Sequence, residues 1–159
     1  RTACAEPDNR LAKEAMMLAA TQGGIAFANA SVTLIHGMSR PIGALFHVPH
    51  GLSNAMLLAE VTAWSVDCAP ERYAHCARYM GIASASQNDQ IACASLVDAL
   101  RLLATDLQVP GPKAFGISRD DWFNSLELMA TQALDSGSPA NNPRVPQAQD
   151  IVQLYQRIW

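Results

Sequence analysis

Three of the four histidines of this chain, His36, His47 and His50, fall within His36-Gly-Met-Ser-Arg-Pro-Ile-Gly-Ala-Leu-Phe-His-Val-Pro-His-Gly51. From Ala15 to Ala59 the only charged side chain is Arg40. Imidazoles and one guanidinium set in otherwise uncharged sequence carry a desolvation cost unless something binds them: a metal ion, a cofactor or a substrate.

Spacing narrows the chemistry. The fourteen-residue step from His36 to His50 is about 21 Å of rise on an unbroken helix. Two imidazoles sharing a metal need nitrogens within roughly 3–4 Å of each other, because each bond is about 2.0–2.1 Å. Pro41, Gly43, Pro49 and Gly51 are the residues that end one helix, turn the chain and start another. The pattern suits two ligands near the ends of two adjacent helices. His47, three residues before His50, shares its direction if the second helix begins early. A solitary histidine in apolar surroundings is usually a hydrogen-bonded core residue, and that alternative stays open at this point. Imidazole suits zinc and ferrous iron alike. Two ligands are also fewer than catalytic sites use, so others must come from elsewhere.

The elements that must position these residues read as helices. Asp8 is a candidate cap for a helix through Leu11, Ala15, Met16 and Leu18, with Gly23-Gly24 as its break. A second stretch, 25–38, has small residues for close packing. Its β-branched run Val32-Thr33-Leu34-Ile35 resembles a strand but lies in a long apolar run without turn residues. After a turn over 39–49, Leu52, Met56, Leu57 and Val61 form a helical stripe. Pro70 starts another helix, with Tyr73, Cys76, Ala77 and Met80 on one face and Gly81 as its stop. A longer helix runs from about Asn88 to Leu107, and Val109-Pro-Gly-Pro112 breaks it. Ser118 with Asp121 resembles a capping box before Trp122, Leu126 and Met129. A loop over 135–146 precedes a closing helix, 148–158. The sum is all-α, a single helical domain over residues 1–159.

Composition sets the outer limits. Half of the 159 residues are hydrophobic and 16% are charged, which leads us to expect a homo-oligomer that buries more surface than a free monomer would. A net charge of −3 and only two lysines, Lys13 and Lys113, give no basic cluster and argue against nucleic acid. Cys4, Cys68, Cys76 and Cys93 lack C-x-x-C spacing and read as reduced thiols of a cytoplasmic protein. Met16–Ile35 is uncharged and long enough for a bilayer but too polar, so a buried helix is expected and no membrane association. No phosphate-binding glycine loop, G-x-S-x-G elbow or H-E-x-x-H is present. The first residue is Arg1 rather than Met, as in a piece of something longer.

Three segments carry a family resemblance: Gly24-Ile-Ala-Phe-Ala-Asn-Ala30, His36-Gly-Met-Ser-Arg-Pro-Ile-Gly-Ala44 and Pro49-His-Gly-Leu-Ser-Asn-Ala55. Tyr73-Ala-His-Cys-Ala-Arg78, Met80-Gly81 and Asn142-Pro-Arg144 extend it over nearly the whole chain. The sequence resembles the C-terminal helical domain of the iron-containing (group III) alcohol dehydrogenases, a dehydroquinate synthase-like α domain. The resemblance implies a two-domain enzyme in which an N-terminal α/β domain, absent from this sequence, binds NAD(P). It implies a divalent metal, Fe2+ with Zn2+ as the alternative, in the cleft between the domains. His36 and His50 look like two of its four ligands. The other two, an Asp and a His, are expected upstream.

The resemblance fails at Arg40, where many members carry a histidine near the nicotinamide. A guanidinium stays charged and does not relay a proton near neutral pH. Arg40 is therefore a candidate for pairing with a substrate carboxylate or a cofactor phosphate, or else with an acidic residue of the absent domain. His47 is a candidate for a pocket hydrogen bond or relay. Phe27 lines an alcohol pocket by analogy, or is plain core. The implied reaction interconverts a primary or secondary alcohol, including a hydroxy acid, with an aldehyde or ketone. Its rivals are a maleylacetate reductase or glycerol dehydrogenase relative, and an inactive helical piece serving only assembly. Histidines at both ligand positions count against a metal-free relative.

Overall fold

A computed structural model describes residues 1–159. Helices and turns account for all regular structure, and no strand forms. The chain divides into two compact units, Arg1–Val32 and Thr33–Trp159.

The first unit holds α1 (Thr2–Ala5) and α2 (Arg10–Ala30). Asn9, not Asp8, caps α2: its Oδ1 accepts the Ala12 N–H at 3.0 Å. The expected break at Gly23-Gly24 does not occur. Neither glycine takes a positive φ, and flanking Ala, Met and Leu residues are strong helix formers that carry the helix across. It stops instead at Ser31, whose φ of 66° departs from helix and whose N–H still bonds the Phe27 carbonyl at 2.7 Å. Val32 and Thr33, expected inside the second helix, lie in this break. The burial expected for Met16–Ile35 also fails over α2, which has no buried residue. Its unit supplies only the four-residue α1 as cover. No single helix of the chain is long and apolar enough to cross a membrane.

The second unit opens with α3 (Leu34–Phe46), a turn at 47–49, and α4 (His50–Ser65). Residues 39–46, expected as turn, are helical, so α3 runs straight through Pro41. A proline interior to a helix removes one backbone bond and costs about 3 kcal/mol in isolation. Here Leu34, Met38 and Ile42, each fully buried at i, i+4 and i+8, hold both sides of it in the core. Against them pack Met56, Leu57 and Val61 of α4, with Trp122 of α8 (Arg119–Asn124). Leu126, Met129 and Ala133 of α9 (Leu126–Asp135) and Ile151, Leu154 and Tyr155 of α10 (Ala148–Arg157) complete that core.

A smaller cluster forms between α5 (Pro70–Tyr79) and α6 (Asp89–Asp106) around Ala74, Ala77, Ala92, Cys93 and Leu96. Gly81 stops α5 as expected: at φ 71° it lets its own N–H bond Arg78 and the Ile82 N–H bond Ala77. The buried face of α5 is Ala74 and Ala77; Cys76 and Met80, expected to share the face of Ala77, are exposed. Small residues let α5 approach α6 closely, and the larger side chains turn outward. Ser118 caps α8 through Asp121. All four cysteines are free.

Candidate metal centre

His36 is the third residue of α3 and His50 the first of α4. On α3 the buried stripe Leu34-Met38-Ile42 fixes the helix rotation, so His36, two residues from Leu34, faces away from the core. Arg40, one turn later, shares its face. His36 is half-buried, whereas Arg40 and His50 are exposed.

Several contacts hold this geometry. The Ser39 Oγ donates to the His36 carbonyl at 3.1 Å, inside the core. The Tyr155 hydroxyl of α10 donates to the Met38 carbonyl at 2.7 Å, and the Trp122 indole N–H reaches the Tyr155 carbonyl at 3.3 Å. Gly37 lets α3 lie on the 3-10 turn Ser138–Asn141, because a Cβ there would stand 2.8 Å from Pro139 Cγ. Asn142 in that loop donates to Ser65 Oγ at 2.9 Å, and Arg144 stacks on Trp64 at 4.0 Å, both at the far end of α4.

The turn between the helices is equally defined. His47 caps α3 in the left-handed region (φ 55°), its N–H on the Gly43 carbonyl at 3.0 Å. Val48 is buried and pins the turn to the core. Pro49 then sets the extended entry into α4. Ser53 secures the first turn of α4, its hydroxyl donating to the His50 carbonyl at 3.0 Å.

The result brings His36 and His50 together, with ring centroids 5.2 Å apart and planes tilted by 54°. Bonds of about 2.0–2.1 Å plus roughly 1 Å from nitrogen to ring centre put two imidazoles on a tetrahedral ion about 5 Å apart, centre to centre. The pair fits that spacing. The His36 pKa lies below its ordinary value, first because burial disfavours the cation, then because His50 and Arg40 add repulsion. A neutral imidazole keeps its lone pair available, the form a metal ion takes. No third His, Cys, Asp or Glu of this chain stands with the two rings, so the donors present amount to half of a four-ligand set.

The other expected site residues are placed differently. Arg40 adjoins His36 closely enough to affect its protonation. His47 is exposed and has a backbone role in the turn. Phe27 lies on α2 in the first unit, 56% exposed. One neighbour escaped the sequence reading. Asn54, four residues after His50, places its amide nitrogen 3.1 Å from Nε2 and 3.4 Å from Nδ1 of that ring. The i, i+4 spacing within Pro49-His-Gly-Leu-Ser-Asn54 was the available signal.

The structure is a helical domain that brings two imidazoles together across one turn, and comparison with known proteins gives its class. All of residues 1–159 match the family described as Fe-containing alcohol dehydrogenase, C-terminal. The chain belongs to that family. It is 34% identical over 149 residues to a lactaldehyde reductase of Escherichia coli (strain K12), covering 93% of this chain and 38% of that protein. It is 30% identical to a 1,3-propanediol dehydrogenase of Citrobacter freundii, covering 100% and 40%. A crystal structure of 1,3-propanediol oxidoreductase superposes with a TM-score of 0.91 at 29% identity, covering 99% of this chain and 41% of that one. An alcohol dehydrogenase from Oenococcus oeni gives 0.89 at 30%, covering 99% and 40%. The chain thus spans about two fifths of the length of these relatives, and the likeness confirms the all-α fold expected from sequence.

Proposed function

We propose that this chain is the metal-holding part of an alcohol dehydrogenase that interconverts a small alcohol and its aldehyde or ketone with NAD(P). The observation that carries the reading is the meeting of His36 and His50, from two helices, at the spacing of two ligands of one ion. His36 and His50 would hold Fe2+ or Zn2+. When bound, such an ion polarises an alcohol or carbonyl oxygen. The remaining ligands and most of the NAD(P) site belong to chain beyond these 159 residues.

The residues of this chain have definite tasks in that reaction. α3 and α4 fix the two imidazoles in place, so little reorganisation is needed during turnover. The lowered His36 pKa keeps that ring neutral. Arg40, exposed one turn from His36, offers a fixed positive charge to a substrate carboxylate or cofactor phosphate. His47, in the turn before His50, supplies a hydrogen bond to the bound alcohol. The relatives named for lactaldehyde and 1,3-propanediol support short, polar alcohols as substrates. A cytoplasmic homo-oligomer is the setting we assign.

The test is metal content together with alcohol-dependent NAD(P)+ reduction in the full-length protein. His36→Ala and His50→Ala should each lose most bound metal and lower turnover by at least about 100-fold. Normal metal content and turnover in either variant overturn the assignment. A second reading draws on the exposed apolar side chains of α2, among them Leu11, Met17 and Phe27: the isolated chain acts as an assembly domain without activity. Light scattering on the isolated 159 residues, beside an NAD(P)H oxidation assay with small aldehydes, separates the two.

A further inference from the structure

Arg40 is the one charged side chain between Ala15 and Ala59. It follows His36 by one turn of α3, about 6 Å along the helix axis, and is exposed on the same face. No carboxylate of this chain pairs with it. Glu14 and Glu60, the acidic residues that flank this uncharged stretch, pair with Arg10 and Arg101 instead.

The charge of Arg40 reaches the imidazole pair, since it helps to hold the His36 pKa down. A fixed cation at this place also works against a divalent ion held by His36 and His50, because like charges repel. An anion bound beside both removes the conflict, for each of the two cations attracts it. The 2′-phosphate of NADP is a poor candidate: it sits at the end of that cofactor remote from the nicotinamide, and hydride exchange brings only the nicotinamide to the reacting carbon. The substrate's own far end is the nearer anion. A planar guanidinium grips a carboxylate with two parallel N–H bonds, which fixes direction as well as charge.

We infer that Arg40 selects a substrate with a carboxylate at the end opposite the reacting hydroxyl, so that the alcohol is a short hydroxy acid and the product its aldehyde acid. The inference rests on the reading of His36 and His50 as metal ligands. In the reaction the carbinol carbon gives a hydride to NAD(P)+ and the hydroxyl loses its proton to solvent, which leaves a carbonyl. The carboxylate is unchanged and stays on the guanidinium.

The test compares kcat/KM of the full-length protein for 3-hydroxypropanoate and 1,3-propanediol, which differ only at the far end, and likewise for 4-hydroxybutanoate and 1,4-butanediol. The parent should prefer the hydroxy acid in at least one pair. In Arg40→Gln that ratio should fall roughly 10–100-fold, as for a lost hydrogen bond to a charged group. Arg40→Lys, which keeps the charge without the fork, should lose less. Zn2+ affinity by chelator competition is the readout apart from turnover: with the repulsion gone, Arg40→Gln should bind Zn2+ at least as tightly as the parent. Preference for the diol in both pairs of the parent overturns the proposal. So does an unchanged ratio in Arg40→Gln, the result expected if Arg40 serves a cofactor phosphate or an acidic residue of the preceding chain. Weaker Zn2+ binding in Arg40→Gln also overturns it, by making Arg40 a brace of the metal site. His36→Ala and His50→Ala are the references: if they keep their metal, the ligand reading itself falls. If they lose it while the ratio in Arg40→Gln holds, only the role of Arg40 falls.

Discussion

α2 and α3 are both rich in apolar residues and poor in charge, yet α2 buries none of its side chains while α3 buries a full stripe. The difference lies in arrangement and in partners. On α3 the large apolar residues Leu34, Met38 and Ile42 repeat every four positions and meet α4, α9 and α10. The polar groups His36 and Arg40 are left together on the other face. On α2 the residues Leu11, Leu18 and Ile25 follow one line, but Met16 and Phe27 point to the opposite side. A helix that is apolar all round needs partners on several sides, and its own unit offers none beyond α1. Apolar content marks a segment as suited to burial; only a facing element turns that into stability.

The sharpest contrast is between a buried ring and an exposed methionine. Trp122 is fully buried, with Phe46, Tyr155 and Trp159 rings 5.5, 5.8 and 6.0 Å away. Trp122→Ala should cost about 3–5 kcal/mol in chemical denaturation. Met17→Ala, at 72% exposed, should fall within about 0.5 kcal/mol. A loss at Met17 comparable to that at Trp122 would break the comparison, by revealing that α2 is covered.

Gly37 gives the next effect. An alanine there drives its Cβ to 2.8 Å from Pro139 Cγ and 2.9 Å from Cδ, atoms of a rigid ring. Gly37→Ala should destabilise by about 1–3 kcal/mol and, since His36 is the adjacent residue, weaken metal binding too. Stability without loss would show that the 3-10 turn yields easily and does not brace α3.

Tyr155 links α10 to the helix that carries His36. Its hydroxyl is fully buried and donates to Met38, so Tyr155→Phe should cost about 1 kcal/mol. Burial raises its pKa above the ordinary 10.0. The folded chain therefore keeps a proton that the unfolded chain releases near pH 10. By linkage, the stability tied to this hydroxyl is complete below about pH 10 and is lost as pH rises beyond it. Urea midpoints at pH 8 and 11 check the sign, and Tyr155→Phe should shrink the difference between them. An unaltered difference assigns the alkaline loss to other groups.

These residues also show which features sequence can reveal. The meeting of His36 and His50 was legible because helix breakers between them implied a return of the chain, and the return exists, though later than Pro41 suggested. Pro41 misled because local propensity ignores the packing of Met38 and Ile42 on either side. Gly23-Gly24 misled in the same way, since a glycine ends a helix only where the backbone turns positive in φ, as at Gly81. Tyr155 was not legible as a support of the helix that carries His36, because its contact spans 117 residues and no periodicity encodes it. Asn54 had a signal in its i, i+4 spacing from His50, one that many surface pairs on helices share.

Gly23 tests the smallest effect and the sharpest question about α2. Nothing lies within 4 Å of a Cβ built there, so an added methyl meets no obstacle, and alanine in a helix interior is favoured over glycine by roughly 0.5–1 kcal/mol. Gly23→Ala should therefore slow amide exchange along α2 while leaving the core of the second unit unchanged. Gly37→Ala, the same chemical change made one helix later, should act in the opposite direction because its space is taken. The sign at Gly23 is informative in either case. A gain marks this side of α2 as open to solvent, whereas a loss requires a surface lying close against the backbone at that point, and the all-round apolar pattern of the helix would then have its partner.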